Sequence, residues 1–156
     1  MNERICAYYS EGSHYTRTVR CLREAYPDAD ITAMAPPDYP VSDEVRTLAT
    51  GVQETELAHF SPRDIPACRR LVGHIRAQRF DIFAVMFDSN QLTILASLSG
   101  APRCLHGTID GRLTPLPASV TVAIGAALGR AIWGRMVYSA AWLAVHLLPV
   151  GKPGDN

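Results

Sequence analysis

Charge is distributed so unevenly along this chain that the distribution itself divides it. From Leu113 to Val150 the only formally charged side chains are Arg130 and Arg135. Almost every other charge falls in the first 112 residues, which read as a soluble domain of ordinary make-up. Residues 113–117, with Pro115-Leu116-Pro117, read as a linker. Residues 118–150 read as a membrane-associated or transmembrane helical segment, and 151–156 as a short tail. A helix from Ala118 to Leu148 would be ~46 Å long, against a hydrocarbon core of ~30 Å. Ala131 to Val150 can therefore span the membrane with Arg130 and Arg135 snorkelling to one interface. Alternatively, the early part lies along the interface or on the domain, or the whole stretch forms two buried soluble helices. Trp133, Tyr138 and Trp142 suit a lipid-contacting helix. Gly125 and Gly129 form a small-xxx-small pair, the kind of face that lets a partner helix approach. Arg103, Arg112, Arg130 and Arg135 precede the span and only Lys152 follows it. The positive-inside rule then puts the N-terminal domain in the cytoplasm, with a single C-terminal span in the inner membrane. The N-terminus has no basic stretch followed by a long apolar run, so no cleaved signal peptide is expected.

The formal net charge is zero, with 15 basic and 15 acidic side chains. That balance argues against nucleic acid as a partner, because phosphate binding needs a basic excess. Cys6, Cys21, Cys68 and Cys104 are far apart and show no closely spaced ligand pairs, so they read as buried reduced thiols and no metal site is expected. His59 and His74 have no ligand partners at useful spacing. His146 is a single histidine in an apolar helix and reads as packing. No cofactor is implied.

Within the first 112 residues strands and helices alternate. Ile5–Tyr9 is a buried strand, and residues 15–25 form a helix with Val19 and Leu22 on one face, stopped by Tyr26-Pro27-Asp28. Ala29–Ala35 alternates as a second strand. Ser42 caps a short helix over Asp43–Ala49, which Gly51 ends. Glu54–His59 is a weak strand. Ser61-Pro62-Arg63-Asp64 is a helix start, and that helix runs to about Gln78. Phe80–Phe87 is a continuous apolar run, the pattern of a central strand covered on both faces. Asp88-Ser89-Asn90 caps a helix over Gln91–Ser99, with Gly100 at its C-terminus. Arg103–Gly107 is a last strand. This order predicts an α/β domain, a Rossmann-like parallel sheet with helices on both faces.

Several of these segments resemble the N-terminal half of a GT-B glycosyltransferase, in particular the ADP-heptose:lipopolysaccharide heptosyltransferase family. The resemblance covers about residues 4–110. It rests on strand Ile5–Tyr9, on His14, and on the run Leu22-Arg23-Glu24-Ala25-Tyr26-Pro27-Asp28-Ala29-Asp30-Ile31. It rests further on Ile75–Ile82 and on the turn Leu98-Ser99-Gly100-Ala101-Pro102. In that family a Gly-Asp pair precedes the loop histidine, and the Asp is taken as the general base for the acceptor hydroxyl. Here Glu11 occupies the place of the Asp, and the preceding Gly is absent. The resemblance thus implies Glu11 and His14 as catalytic residues, if the chain is an enzyme. Gly12, Ser13, Asp88, Ser89 and His106 would line a ligand crevice at the carboxyl edge of the sheet, where ligands bind in such folds. Gly12 alone is no dinucleotide fingerprint. A solvated loop around Glu11 and a helix-capping role for Asp88 or Ser89 are the simpler readings of those residues.

The family's donor-binding half has no counterpart here: the residues after 110 carry neither glycine-rich phosphate loops nor acidic ribose ligands. The expectation is a non-catalytic accessory or scaffolding subunit of a multi-subunit membrane complex, whether respiratory, photosynthetic or envelope-building. Its partners would be membrane lipid and the transmembrane helices of other subunits. The alternative is the acceptor-binding half of a membrane-associated glycosyltransferase that works with a separate donor-binding chain.

Overall fold

The structure, a computed structural model, describes residues 2–9, 14–55, 64–86, 89–108, 110–117 and 119. Between 121 and 136 it describes residues 121, 122, 124, 125, 128–130, 132, 133, 135 and 136, all of them helical. The chain divides into two compact units, Met1–Ala123 and Ile124–Asn156.

The first unit follows the order β1 (Arg4–Tyr8), α1 (Tyr15–Ala25), β2 (Asp30–Ala35), α2 (Asp43–Leu48), β3 (Gly51–Glu54), α3 (Ile65–Ala77), β4 (Ile82–Val85), α4 (Asn90–Leu98), β5 (Arg103–Gly107) and β6 (Leu113–Leu116). These strands form one six-stranded sheet in the order β3-β2-β1-β4-β5-β6. The first five run parallel, and β6 pairs antiparallel with β5. The sheet is therefore mixed, where the sequence predicts a parallel one.

Side-chain alternation along the central strands sorts the core into two layers. Ile5, Ala7, Ile31, Ala33, Ile82 and Ala84 pack with Tyr15, Val19 and Leu22 of α1 and Val45 of α2. Cys6, Tyr8, Met34, Phe83 and Val85 pack with Leu71 and Ile75 of α3 and Leu92, Leu95 and Ala96 of α4. All four β4 residues are buried, as expected for a strand with helices above and below. The chain winds outward from β1 over one face. It then returns to β4 and winds over the other. The switch point lies between the carboxyl ends of β1 and β4.

Several elements differ from the sequence reading. Residues 113–117, read as linker, supply β6 and extend the sheet. Pro115 sits opposite Leu105 on the outermost strand, where a residue without an N–H is tolerated. β3 starts at Gly51, so this glycine opens a strand rather than ending a helix; α2 is closed by Ala49. The proposed strand residues 56–59 and the proposed cap Ser61 lie outside the described residues. The cap of α3 is Asp64, whose Oδ1 accepts from the Ala67 amide at 3.1 Å. Gly100, at φ +81° after α4, takes the left-handed conformation that closes helices.

Among the described residues no helix is long and apolar enough to cross a membrane. The proposed span falls largely on residues 137–150, outside the described set, as do Tyr138, Trp142 and His146. Gly125, Gly129, Arg130, Trp133 and Arg135 are described, helical and exposed.

Candidate functional site

The switch point gathers the residues that follow β1, β2, β4 and β5. Of the first loop, Glu11, Gly12 and Ser13 lie outside the described residues. His14 is described: it is half-buried, sits at the N-cap of α1 and makes no side-chain cap. Its carbonyl accepts from the Thr18 amide at 3.0 Å and from Thr18 Oγ1 at 3.2 Å. Asp88 lies outside the described residues. Ser89 caps α4, its Oγ accepting from the Leu92 amide at 3.2 Å. The capping role expected for Asp88 or Ser89 thus falls on Ser89. His106 stands near the end of β5, in register with Val85 on one side and Thr114 on the other. Its Nδ1 is buried without a hydrogen-bond partner, although the residue as a whole is only half-buried.

A tyrosine cluster at the same edge was not apparent in the sequence. The Tyr9 ring lies 4.1 Å from that of Tyr39 and meets Tyr15 edge-on at 5.1 Å, centroid to centroid. The Tyr15 hydroxyl donates to the carbonyls of Ala7 and Met34, both at 3.1 Å. It thereby ties α1 to the carboxyl ends of β1 and β2. Asp38, just before Tyr39, holds φ at +59° in the turn after β2; aspartate is among the few non-glycine residues that tolerate this region. Burial pushes the Tyr15 hydroxyl well up from its ordinary value. Burial, with smaller contributions from Cys6 and Cys68, raises Tyr8 to about 12. Tyr39 is raised by burial and then by its hydrogen bond with Tyr9.

The β5–β6 hairpin closes over α1. Its turn is held by the Thr108 amide donating to the Arg112 carbonyl at 2.8 Å and by the Arg112 amide donating to Thr108 Oγ1 at 3.0 Å. Gly111, at φ +78°, offers its carbonyl to the Cys21 thiol at 3.0 Å. Gly107 comes so close to α1 that a Cβ there would lie 2.4 Å from Thr18 Oγ1.

The cysteines are free thiols. Burial raises Cys6 far above its ordinary value; it also raises Cys104, partly offset by a hydrogen bond with Ser99. Such thiols are poor nucleophiles and poor metal ligands. Among the described residues no group of three or more His, Cys, Asp or Glu side chains is placed to hold a metal ion. His74, on the exposed side of α3, is hydrogen-bonded to Gln53 at 2.8 Å and Gln78 at 3.0 Å. The described residues at this edge of the sheet offer aromatic surface, hydroxyls and, at His106, an imidazole nitrogen without a hydrogen-bond partner.

These features define a doubly wound α/β domain. A structural likeness agrees with that class. A glycosyl transferase family 9 protein from Veillonella parvula DSM 2008 superposes with a TM-score of 0.53 at 17% identity, over 67% of this chain and 32% of that one. The chain thus spans about a third of the length of this relative, and the likeness is one of fold. No protein-family model and no curated protein sequence matches the chain.

Proposed function

We propose that the chain is an accessory subunit of a membrane complex, in which a glycosyltransferase-like α/β domain is attached by the apolar C-terminal segment. One observation carries this reading. Ile124, Leu128, Ile132, Trp133 and Met136 are all exposed, Trp133 to 67%. At 3.6 residues per turn they cover about half of a helix circumference, with Arg135 inside that arc near one edge. Gly125 and Gly129 fall on the same arc, and a Cβ at either would meet nothing within 4 Å. An apolar face of this width is unfavourable in water by roughly 1.5–3 kcal/mol per large side chain. Lipid covers such a face, and a partner helix fits the glycine notch. The proposed orientation has the α/β domain on the cytoplasmic side of the inner membrane. The chain should stay in the membrane pellet after an alkaline carbonate wash. Gly125→Leu/Gly129→Leu should release partner subunits while leaving the chain in the membrane. Recovery in the supernatant, or unchanged partners in the double variant, would count against the reading.

The likeness to a glycosyl transferase supports a second reading, the acceptor-binding half of a membrane-associated glycosyltransferase working with a donor-binding chain. Glu11 would then take the acceptor proton, with His14 beside it in the loop. Glu11→Gln should abolish sugar transfer by the assembled pair. Transfer at the wild-type rate would remove Glu11 from that role.

A further inference from the structure

The carboxylates of the helices are confined to one face of the α/β domain, while arginines stand on both. Residues 65–80 and 89–102, which hold α3 and α4, contain Arg69, Arg70, Arg76 and Arg79 and no carboxylate. The acidic side chains of the helices lie on α1 and α2, across the sheet: Glu24, Asp43 and Glu44. Between α3 and α4 an apolar groove of about 420 Å³ opens to solvent, floored by Ile65, Cys68, Val72, Ile94 and Leu98. Ile65 at its mouth is 63% exposed. Arg69 and Arg76 flank it, the latter held along the groove by donating from Nε to the Leu98 carbonyl at 2.7 Å. Arg79 follows just after α3 beside a second hollow that it shares with Arg76, Asp81 and Gly100.

We infer that the α3–α4 face rests on an anionic lipid surface, with the groove taking acyl or glycerol carbons and the arginines meeting headgroup phosphates. This rests on the membrane reading above and adds the orientation of the domain. An apolar groove flanked by Arg69 and Arg76, with Asp64 before Ile65 and Asp81 beside Arg79 as the nearby carboxylates, matches the chemistry of the acidic leaflet. Leu116, the last residue of β6, packs against the core cluster that includes α3 and α4. The apolar stretch is helical by Thr121, so at most about 18 Å of extended chain separates the two. An acidic amphipathic helix from another protein would satisfy the same groove, and the test separates it.

The full chain, with Cys21→Ser and Cys68→Ala, would carry a spin label at Ile65→Cys or, as control, at Thr47→Cys on α2. It would be mixed with phosphatidylcholine vesicles, with and without 30% phosphatidylglycerol. Binding should be tighter to the anionic vesicles. The label at 65 should gain oxygen accessibility and lose accessibility to aqueous nickel, while the label at 47 stays aqueous. Arg69→Gln/Arg79→Gln should reduce the preference for anionic vesicles about fivefold per arginine. Vesicle binding with an aqueous label at 65 would overturn this inference and leave the helix-anchored reading intact. A label that is immobilised in native membranes but shielded from lipid would assign the groove to a protein instead. Absence of vesicle binding would overturn both. If the arginine variant misfolds by circular dichroism, the label at 65 in the otherwise native chain still decides.

Discussion

Replacing Gly107 by Ala tests how tightly the β5–β6 hairpin is seated on α1. The new Cβ would lie 2.4 Å from Thr18 Oγ1, 3.0 Å from Cγ2 and 3.2 Å from Cβ. Thr18 is 4% exposed and cannot swing out into solvent. Its hydroxyl also donates to the His14 carbonyl at 3.2 Å, so any rotation that relieves the clash gives up that bond. Overpacking a filled site costs about 1–3 kcal/mol, and the lost hydrogen bond about 0.5–1.5 kcal/mol. Gly107→Ala should therefore lower stability by about 2–4 kcal/mol, read as a shift of the urea midpoint at constant slope. Thr18→Ala removes the two closest atoms and leaves only the 3.2 Å contact. In that background Gly107→Ala should cost less than about 1 kcal/mol. An equal cost in both backgrounds would show that the hairpin does not approach α1 through Gly107 and Thr18.

Ser89→Ala should cost about 1 kcal/mol through the lost cap of α4, and Ser89→Asp should restore most of it; equal midpoints for all three would remove Ser89 from the cap. Gly73→Ala, in mid-α3 with nothing within 4 Å of the added Cβ, should stabilise the domain by about 0.5–1 kcal/mol. Stability should be level from pH 7 to 8 and fall as pH rises further. Cys6, Cys104, Tyr8 and Tyr15 all have raised values in the fold. The unfolded chain loses these protons first, near pH 8.5 for thiols and 10 for phenols, so above those values it binds fewer protons than the native state and is favoured. The loss should continue toward pH 12, where Tyr8 itself titrates in the fold. A flat urea midpoint between pH 8 and 11 would contradict the burial of these groups.

The elements that the sequence revealed are those specified by local chemistry. Ser42 and Ser89 stand immediately before the helices they cap, and the β4 run is apolar because both its faces are covered. β6 was missed because Leu-Thr-Pro-Leu is short and its proline reads as a breaker. Only the pairing with β5, which leaves β6 at the sheet edge, makes that proline harmless. The tyrosine cluster was missed for a different reason. Residues 9, 15 and 39 meet because β1 and β2 pair in register and α1 folds back over them. No local pattern encodes that meeting. His106 lies on β5, within the strand read from Arg103–Gly107, but the isolation of its Nδ1 depends on neighbours from other strands. The absence of carboxylates from α3 and α4 was hidden by a net charge of zero.

The most direct test of the central claim is extraction of native membranes in mild detergent, followed by size separation and mass spectrometry of what travels with this chain. The account predicts co-migration with a large, stable assembly of membrane subunits. Recovery of the chain as a monomer, or in the soluble fraction before detergent is added, would contradict it.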